Sequence, residues 1–206
     1  MNEYYNKYNW LRRSDHCDWF SVNCNDGSYY PDPTVTGYVT SVHLGNQNLI
    51  GTIPKEVTSL SSLELLDFSY NQLTGTIPSE IANFAPTLER LSLYHNQLSG
   101  TIPPELGSLT SLIEVSLYVN QLTGTIPPEI GNLVNVRRVS LYDNQLTGTI
   151  PPEFGALDLY ALKVYWNQLV GPVPLEVCGR VLLRFVTDCT VCDPATNPMC
   201  CTGCME

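Results

Sequence analysis

A block of about 24 residues recurs along this chain. The stretch SLYVNQLTGTIPPE runs from Ser116 to Glu129, and close copies begin 24 residues earlier at Ser92 and 24 residues later at Ser140. The copies align on one polar column of six members: Gln47, Asn71, Asn96, Asn120, Asn144 and Asn167. Because so short a unit cannot enclose an apolar core by itself, the array predicts a stack of coils in which neighbours cover one another.

Apolar residues in each unit are spaced as expected for the inward side of a coil. In LIEVSLYVNQL the inward positions are Leu112, Val115, Leu117 and Leu122, since side chains alternate between the two faces of a strand. The pattern L-x-x-L-x-L-x-x-N, at a period of roughly 20 to 29 residues, is typical of leucine-rich repeats. We therefore predict an α/β solenoid, a right-handed leucine-rich-repeat superhelix with a parallel concave sheet, short convex helical turns and disulfide-rich caps.

The other recurrent columns predict the turns between strands. We expect each Asn amide to bond backbone groups of its own and adjacent coils, with a weaker ladder at Gln47. A recurrent Gly supplies tight backbone, and the Pro-Pro-Glu that follows Ile predicts the start of a short helical turn. We interpret the acidic column as a helix-start preference rather than a calcium site, which needs a denser oxygen cage.

The eight cysteines lie only at the two ends of the chain, and residues 25–177 contain none. They are Cys17, Cys24, Cys178, Cys189, Cys192, Cys200, Cys201 and Cys204. An even number confined to the ends predicts disulfide-bonded caps in an oxidising compartment. Two Cys-x-x-Cys pairs near the C-terminus leave a zinc site as an alternative. We divide the chain into an N-terminal cysteine cap (1–38), six repeats of about 24 residues (39–178) and a cysteine-rich C-terminal cap (179–206).

The composition excludes some classes of partner. The formal net charge is −10 and the isoelectric point is near 4.6, which argues against binding to nucleic acid or anionic membrane, because both would repel the chain. Apolar runs cover only a few residues, so we predict no membrane insertion. The polar residues after Met1 do not form a secretory signal. Together with the cysteines, this favours a secreted or extracellular protein whose signal peptide has been removed.

Two stretches carry a resemblance to a known family. CDWFSVNC, from Cys17 to Cys24, resembles the N-terminal cap of plant-type extracellular leucine-rich-repeat proteins, and LTGTIPPEIGNL resembles their repeat. The resemblance covers about residues 9–178 and implies that Cys17 pairs with Cys24. The C-terminal DCTVC and CCTGC are more weakly similar to members from algae and diatoms. Members of the family serve as receptor ectodomains, co-receptors and inhibitors of microbial wall-degrading enzymes, so the resemblance implies recognition.

Side chains that alternate with the inward leucines are expected to point out from the concave sheet. One such column holds four tyrosines in successive units, and aromatic and charged residues surround it. The candidate ligand-binding set is Asp67, Tyr70, Arg90, Tyr94, His95, Tyr118, Arg138, Tyr142, Asp143, Lys163, Tyr165 and Trp166. Tyrosine offers contact area at low entropic cost, so this stripe predicts a site for an extended peptide or a glycan chain. Alternatively, the tyrosines only stabilise the sheet by cross-strand stacking.

The recurrent Thr-Gly-Thr segment predicts a second outward surface. If the segment is extended, its hydroxyl side chains form two regular files, whose threonines are Thr74, Thr76, Thr101, Thr123, Thr125, Thr147 and Thr149. Flat threonine arrays at strand spacing resemble the ice-contacting faces of some antifreeze proteins. Ice binding is therefore an alternative function, and a structural role in a wall or matrix is another.

We find no residue pattern that predicts catalysis. His16, His43 and His95 lie in separate units, and no Ser or Cys nucleophile is spaced to work with them. The sequence also contains no phosphate-binding loop or paired-histidine metal motif. We therefore predict a non-enzymatic recognition module without cofactor or metal, whose partner is an extracellular protein, peptide or carbohydrate.

Overall fold

The computed structural model of the protein describes residues 22–24, 38–84, 86–178 and 185–186. Much of both predicted caps lies outside the described residues, as do Cys17, Cys189, Cys192, Cys200, Cys201 and Cys204. The disulfide and zinc interpretations of the ends therefore stay predictions, including the pairing of Cys17 with Cys24 and the role of Cys178.

Short strands recur at the spacing of the sequence repeat. In chain order they are β1 (Val22–Cys24), β2 (Val39–His43), β3 (Ile50–Thr52), β4 (Leu65–Asp67), β5 (Gln72–Thr74), β6 (Arg90–Ser92), β7 (Ser99–Thr101), β8 (Glu114–Ser116), β9 (Gln121–Thr125), β10 (Arg138–Ser140), β11 (Gln145–Gly148), β12 (Ala161–Lys163), β13 (Gln168–Leu169) and β14 (Phe185–Val186).

Eight of these strands form one long sheet, in the order β1-β2-β4-β6-β8-β10-β12-β14. Strand β1 is antiparallel to β2, and every other neighbouring pair in the sheet is parallel. Equivalent residues pair across the strands, so that Arg90 pairs with Glu114 and Glu114 pairs with Arg138. The predicted parallel sheet is confirmed. Each column of the sequence repeat becomes a file of side chains across this sheet.

The Thr-Gly-Thr segments are extended and form further parallel pairs. Strands β7, β9, β11 and β13 form a four-stranded sheet, and β3 pairs with β5. In this second set, Thr101 pairs with Thr123 and Thr125 pairs with Thr147. The second threonine of one coil thus lies beside the first threonine of the next. The expectation of two straight files is wrong, because the register steps along the strands and the threonines form a staircase.

A short helical turn follows each strand of the second set. The 3-10 helices are Lys55–Ser59, Ser79–Phe84, Pro104–Ser108, Pro128–Asn132 and Pro152–Ala156, and one α-helix spans Leu175–Cys178. A glutamate lies in the first turn of each, in accordance with the helix-start interpretation of the acidic column. Adjacent turns pack closely: a Cβ on Gly131 would lie 2.5 Å from the Cβ of Glu153. Within the described ranges, no helix is long and apolar enough to cross a membrane.

The core is one continuous cluster that runs along the stack from Val39 to Val177. The predicted inward residues expose 0% of their surface: Leu112, Val115, Leu117 and Leu122. Burying a side chain of this size contributes about 1.5–3 kcal/mol to folding. Because each coil covers the apolar side of the next, the hydrophobic stabilisation is shared between neighbours rather than concentrated at one centre.

The asparagine column forms the predicted ladder. The Nδ2 of Asn96 donates to the carbonyl oxygens of Phe68 at 2.9 Å and Leu93 at 3.1 Å, and its Oδ1 accepts from the Leu73 amide at 3.0 Å. The equivalent bonds are made by Asn71, Asn120, Asn144 and Asn167. Each amide therefore satisfies backbone groups of two coils where the chain leaves the strand, and these groups would otherwise be unpaired inside the protein.

The ladder predicts unequal effects of two matched substitutions. Asn96→Ala leaves one buried amide and two carbonyls without their partner, so we expect a loss of at least about 2 kcal/mol in the free energy of unfolding. Gln47 is exposed, and its Nε2 bonds only the Gly45 carbonyl of its own turn. We expect Gln47→Ala to change stability by less than about 0.5 kcal/mol. Urea unfolding followed by circular dichroism measures both, and equal midpoints would contradict the ladder's role.

Candidate binding groove on the long sheet

Four tyrosines on successive strands stack face to face. Ring centroids are 4.3 Å apart for Tyr94 and Tyr118, 4.4 Å for Tyr118 and Tyr142, and 4.6 Å for Tyr142 and Tyr165, with interplanar angles of 13°, 12° and 9°. This separation follows from the strand spacing of about 4.8 Å. We call these four residues the tyrosine stack.

Stacking decides which part of each ring a ligand can reach. Tyr118 and Tyr142 have a neighbouring ring on both faces. Only their edges and hydroxyl groups remain accessible, and these side chains are half-buried. The edge of an aromatic ring carries partial positive charge, whereas its face is negative. The stack therefore offers hydrogen-bond donors and electropositive ring edges rather than flat aromatic platforms.

Other aromatic rings close both ends of the stack. Tyr70 stacks on His95 at 4.4 Å and meets Tyr94 edge-on at 5.3 Å. Trp166 meets Tyr165 edge-on at 5.0 Å. Tyr70 is 51% exposed and Trp166 is 56% exposed. The sequence-predicted aromatic residues are thus brought together into one continuous row.

Tyr165 differs from the expected contact residue. It belongs to the stack, but only 8% of its surface is exposed. Its ring is covered by Tyr142 on one side and by the edge of Trp166 on the other. It supports Tyr142 and offers almost no surface of its own to a ligand, which corrects its place in the candidate set.

The residue after each tyrosine position has a left-handed backbone, which sequence reasoning missed. This column consists of Asn46, Tyr70, His95, Val119, Asp143 and Trp166, with φ between 52° and 57°. A left-handed conformation costs a non-glycine residue roughly 1–2 kcal/mol, and it is most unusual for a bulky or β-branched one. It turns side chains such as Tyr70 and His95 onto the tyrosine side of the sheet, where they contact Tyr94.

Charged side chains surround the tyrosine stack in two different states. The Arg138 guanidinium lies 3.5 Å from a carboxylate oxygen of Glu114 and 5.6 Å from the centre of the Tyr160 ring. Asp67, by contrast, accepts two bonds from Ser69, one from its amide at 2.9 Å and one from its hydroxyl at 2.6 Å. The Asp67 carboxylate is thus partly committed to its own strand end. Arg90 and Asp143 are exposed, and Lys163 is half-buried.

A groove of about 300 Å³ runs along the stack. It is lined by Ser92, Tyr94, Glu114, Ser116, Tyr118, Arg138, Ser140, Tyr142, Tyr160, Ala161 and Lys163. The committed set omitted the three serines and Tyr160. A signal for the serines exists in the recurrent Ser-Leu-Tyr, since serine precedes an inward leucine and must face the same way as tyrosine. Tyr160 has no counterpart in the other units, so the repeat gives no signal for it.

The stack keeps its phenols protonated. Burial raises the pKa of Tyr118, and the neighbouring Tyr94 and Tyr142 raise it further. Burial also raises the pKa of Tyr142 and of Tyr165. A charged phenolate next to other phenols in a partly dry groove is unfavourable. At neutral pH these hydroxyls are therefore available as donors.

The threonine staircase lies on the second set of strands. The hydroxyls of Thr74, Thr123 and Thr147 donate to glycine carbonyls of the preceding coil at 3.0 to 3.3 Å. The second threonine of each pair is exposed, at Thr76, Thr101, Thr125 and Thr149. Only about half of the hydroxyls in the predicted ice-contact set therefore remain uncommitted to backbone within the described residues.

Comparison with known proteins follows the repeat. A family model for the Leucine Rich Repeat matches residues 62–84, 87–109, 111–133 and 135–157. The solved BIR3–SERK2 complex from Arabidopsis thaliana contains a chain that is 32% identical, with a TM-score of 0.64 over 75% of this chain and 78% of that one. The chain belongs to the plant-type leucine-rich-repeat family. The predicted family and solenoid fold are thereby confirmed.

The curated relatives of this plant-type leucine-rich-repeat protein are longer than it is. Receptor-like protein 5 of Arabidopsis thaliana is 37% identical over 65 residues, which are 32% of this chain and 21% of that protein. The chain spans 6% of receptor-like kinase TMK4 from the same plant. Kinases among the relatives match through their leucine-rich repeats, so the non-enzymatic interpretation of the present chain stays a prediction.

Two further solved structures bear on function. The ectodomain of GASSHO1/SCHENGEN3 from Arabidopsis thaliana, in complex with CASPARIAN STRIP INTEGRITY FACTOR 2, is 31% identical, with a TM-score of 0.68 over 86% of this chain and 24% of that one. A plant ice-binding protein is 28% identical, with a TM-score of 0.66 over 84% of this chain and 61% of that one. Both share the solenoid, so the fold alone does not choose between their functions.

The raised pKa values predict a loss of stability at alkaline pH. The folded protein holds the Tyr118 and Tyr142 protons more tightly than the unfolded chain, whose phenols ionise near 10.0. Stability from this source is therefore complete below about pH 10 and falls as the pH rises further. Between about pH 8 and pH 11 we expect Tyr118→Phe/Tyr142→Phe to lose about 3–6 °C less in Tm than the wild type.

Tyr38→Phe is the matched control, since Tyr38 is 65% exposed and lies outside the stack. The same fall in Tm for the wild type, the double variant and the control would show that the stack does not govern alkaline unfolding.

Proposed function

We propose that this chain is an extracellular recognition module that binds a protein or peptide in the groove beside the tyrosine stack. The observation that carries the proposal is the alignment of half-buried Tyr94, Tyr118 and Tyr142 along one groove with Arg138 and Lys163. Tyrosine and arginine are enriched among the residues that dominate binding energy at protein interfaces. The same groove has room for an extended segment rather than for a flat protein surface.

Sheet stability alone gives a weaker account of these residues. Cross-strand aromatic pairs stabilise a sheet by roughly 0.2–1 kcal/mol each. Beside the stack, however, Tyr70 and Trp166 occupy left-handed positions that Asn46 occupies at lower cost. Both bulky rings are half exposed, so their burial does not offset that cost. Large exposed side chains kept in a strained conformation favour a binding role.

The related structures support a polypeptide partner. GASSHO1/SCHENGEN3 was solved with an integrity factor, and BIR3 was solved with SERK2. A glycan is less well suited to the groove, because the faces of Tyr118 and Tyr142 are covered by neighbouring rings. Sugars stack their C–H groups on the negative face of an aromatic ring rather than on its edge. The likeness to receptor and receptor-like proteins also supports an extracellular location.

Ice binding is a second candidate, supported by a different surface. The outer threonines Thr101, Thr125 and Thr149 are exposed on successive coils, and the fold resembles that of a plant ice-binding protein. Against it, each coil's first hydroxyl is engaged with backbone, as for Thr123 and Thr147. The staircase register also places the remaining hydroxyls obliquely rather than in two straight rows.

The first prediction concerns the tyrosine stack. A library of random peptides, displayed with blocked C-termini and selected against the wild-type chain, provides the probe. We expect Tyr118→Ala/Tyr142→Ala to weaken binding of the selected peptides by about 30-fold or more, since two central anchors are removed. Thr125→Ala, on the threonine staircase, is the control and should bind as the wild type does. A library that yields no enriched peptide, or equal affinity for the double variant, would overturn the proposal.

The second prediction separates ice binding from recognition. If the threonine staircase contacts ice, the wild type shows thermal hysteresis and Thr125→Tyr/Thr149→Tyr abolishes it, because two bulky rings break the array. Tyr118→Ala/Tyr142→Ala should leave any hysteresis unchanged. A wild-type freezing curve identical to that of buffer excludes this candidate.

A further inference from the structure

We infer that the groove recognises an acidic side chain of its peptide, held by Arg138 and Lys163 beside Tyr142. The inference rests on the proposed function and adds the chemical class of the ligand. It follows from the balance of donors and acceptors in the groove, from the state of the two cations and from the charge of the rest of the chain.

Donors dominate the lining of the groove. Tyr94, Tyr118 and Tyr142 present neutral phenols and electropositive ring edges, and three serine hydroxyls accompany them: Ser92, Ser116 and Ser140. Among the lining residues of the groove, Glu114 has the one carboxylate. A ligand complementary to this surface is therefore rich in acceptors, and a carboxylate is the strongest acceptor that a peptide side chain supplies.

Arg138 is fixed in place, and its donors are not exhausted. Its Nη1 lies 3.5 Å from Glu114 Oε2, which is long for a charge-assisted hydrogen bond, and Tyr160 supports the guanidinium from the other side. The Arg138 side chain remains 54% exposed. A guanidinium has five N–H donors in a rigid fork, so it can accept a second carboxylate without releasing Glu114.

Lys163 supplies the second cation from the next strand. It pairs in register with Ser140, two residues after Arg138, and lines the same groove. No carboxylate of the described residues forms an ion pair with it. A half-buried ammonium without an anion is poorly compensated, and a carboxylate placed between Lys163 and Arg138 compensates it.

Elsewhere the chain repels acidic ligands. The net charge is −10, and an exposed glutamate begins each helical turn: Glu56, Glu80, Glu105, Glu129, Glu153 and Glu176. An acidic segment is therefore disfavoured on the side of the helical turns and attracted to the groove. This contrast orients the peptide and discriminates against binding outside the groove.

The test compares two peptide libraries that differ only in one fixed central residue, Glu in one and Gln in the other. Both carry blocked C-termini, so a terminal carboxylate cannot replace the side chain. We expect the wild type to enrich Glu peptides at least 10-fold over Gln peptides. Lys163→Met and Lys163→Met/Arg138→Gln should lose this preference stepwise. Lys55→Met, which removes an exposed lysine on a helical turn, should retain it.

Each outcome has a defined meaning. Equal enrichment of Glu and Gln peptides by the wild type overturns the acidic-ligand inference and leaves the proposed function standing. Enrichment of neither library overturns the proposed function itself. Binding of an oligogalacturonate through Arg138 and Lys163, without peptide binding, overturns the peptide and assigns the site to a sugar acid. A Tm of Lys163→Met within a few degrees of the wild type ensures that altered folding does not explain the loss.

Discussion

Parallel pairing of equivalent residues on successive coils is the constraint on which the rest of the structure depends. Strands of the long sheet lie about 4.8 Å apart, and equivalent positions pair from Leu65 to Ala161. Whatever residue a unit carries is therefore placed beside its counterpart. Leucines become a continuous core, asparagines become a ladder that satisfies the turns, and tyrosines become a face-to-face stack. One translation produces both the stability of the protein and its candidate binding surface.

The same translation sets the chemistry of that surface. Rings held at strand spacing must cover each other's faces, so the tyrosine stack presents edges and hydroxyls instead of platforms. Residues that break the repetition then decide what the groove prefers. Arg138, Lys163 and Tyr160 have no identical counterparts in every unit, and they gather at one end of the groove. The repeated residues form the scaffold, and the irregular ones supply selectivity.

Repetition also explains how much could be predicted from the sequence. The inward leucines, the asparagine ladder and the helix-start glutamates follow from residue types whose preferences agree with their positions. The left-handed column could not be predicted, because Val119 and Trp166 resist that conformation and adopt it only because the turn imposes it. The threonine staircase depends on a strand register that spacing alone leaves undetermined. The burial of Tyr165 depends on its neighbours in space, notably Trp166, which no column of the repeat encodes.

The glycine that lets adjacent helical turns pack together, seen at Gly131, makes each coil a self-contained module of fixed thickness. Gene duplication or unequal recombination that adds one whole 24-residue module would lengthen the groove by a single strand spacing and insert one more ring without disturbing the others. Insertions of any other length would break the stack. The reach of such a protein can therefore evolve only in discrete increments, and the length of the peptide it accommodates is counted in coils.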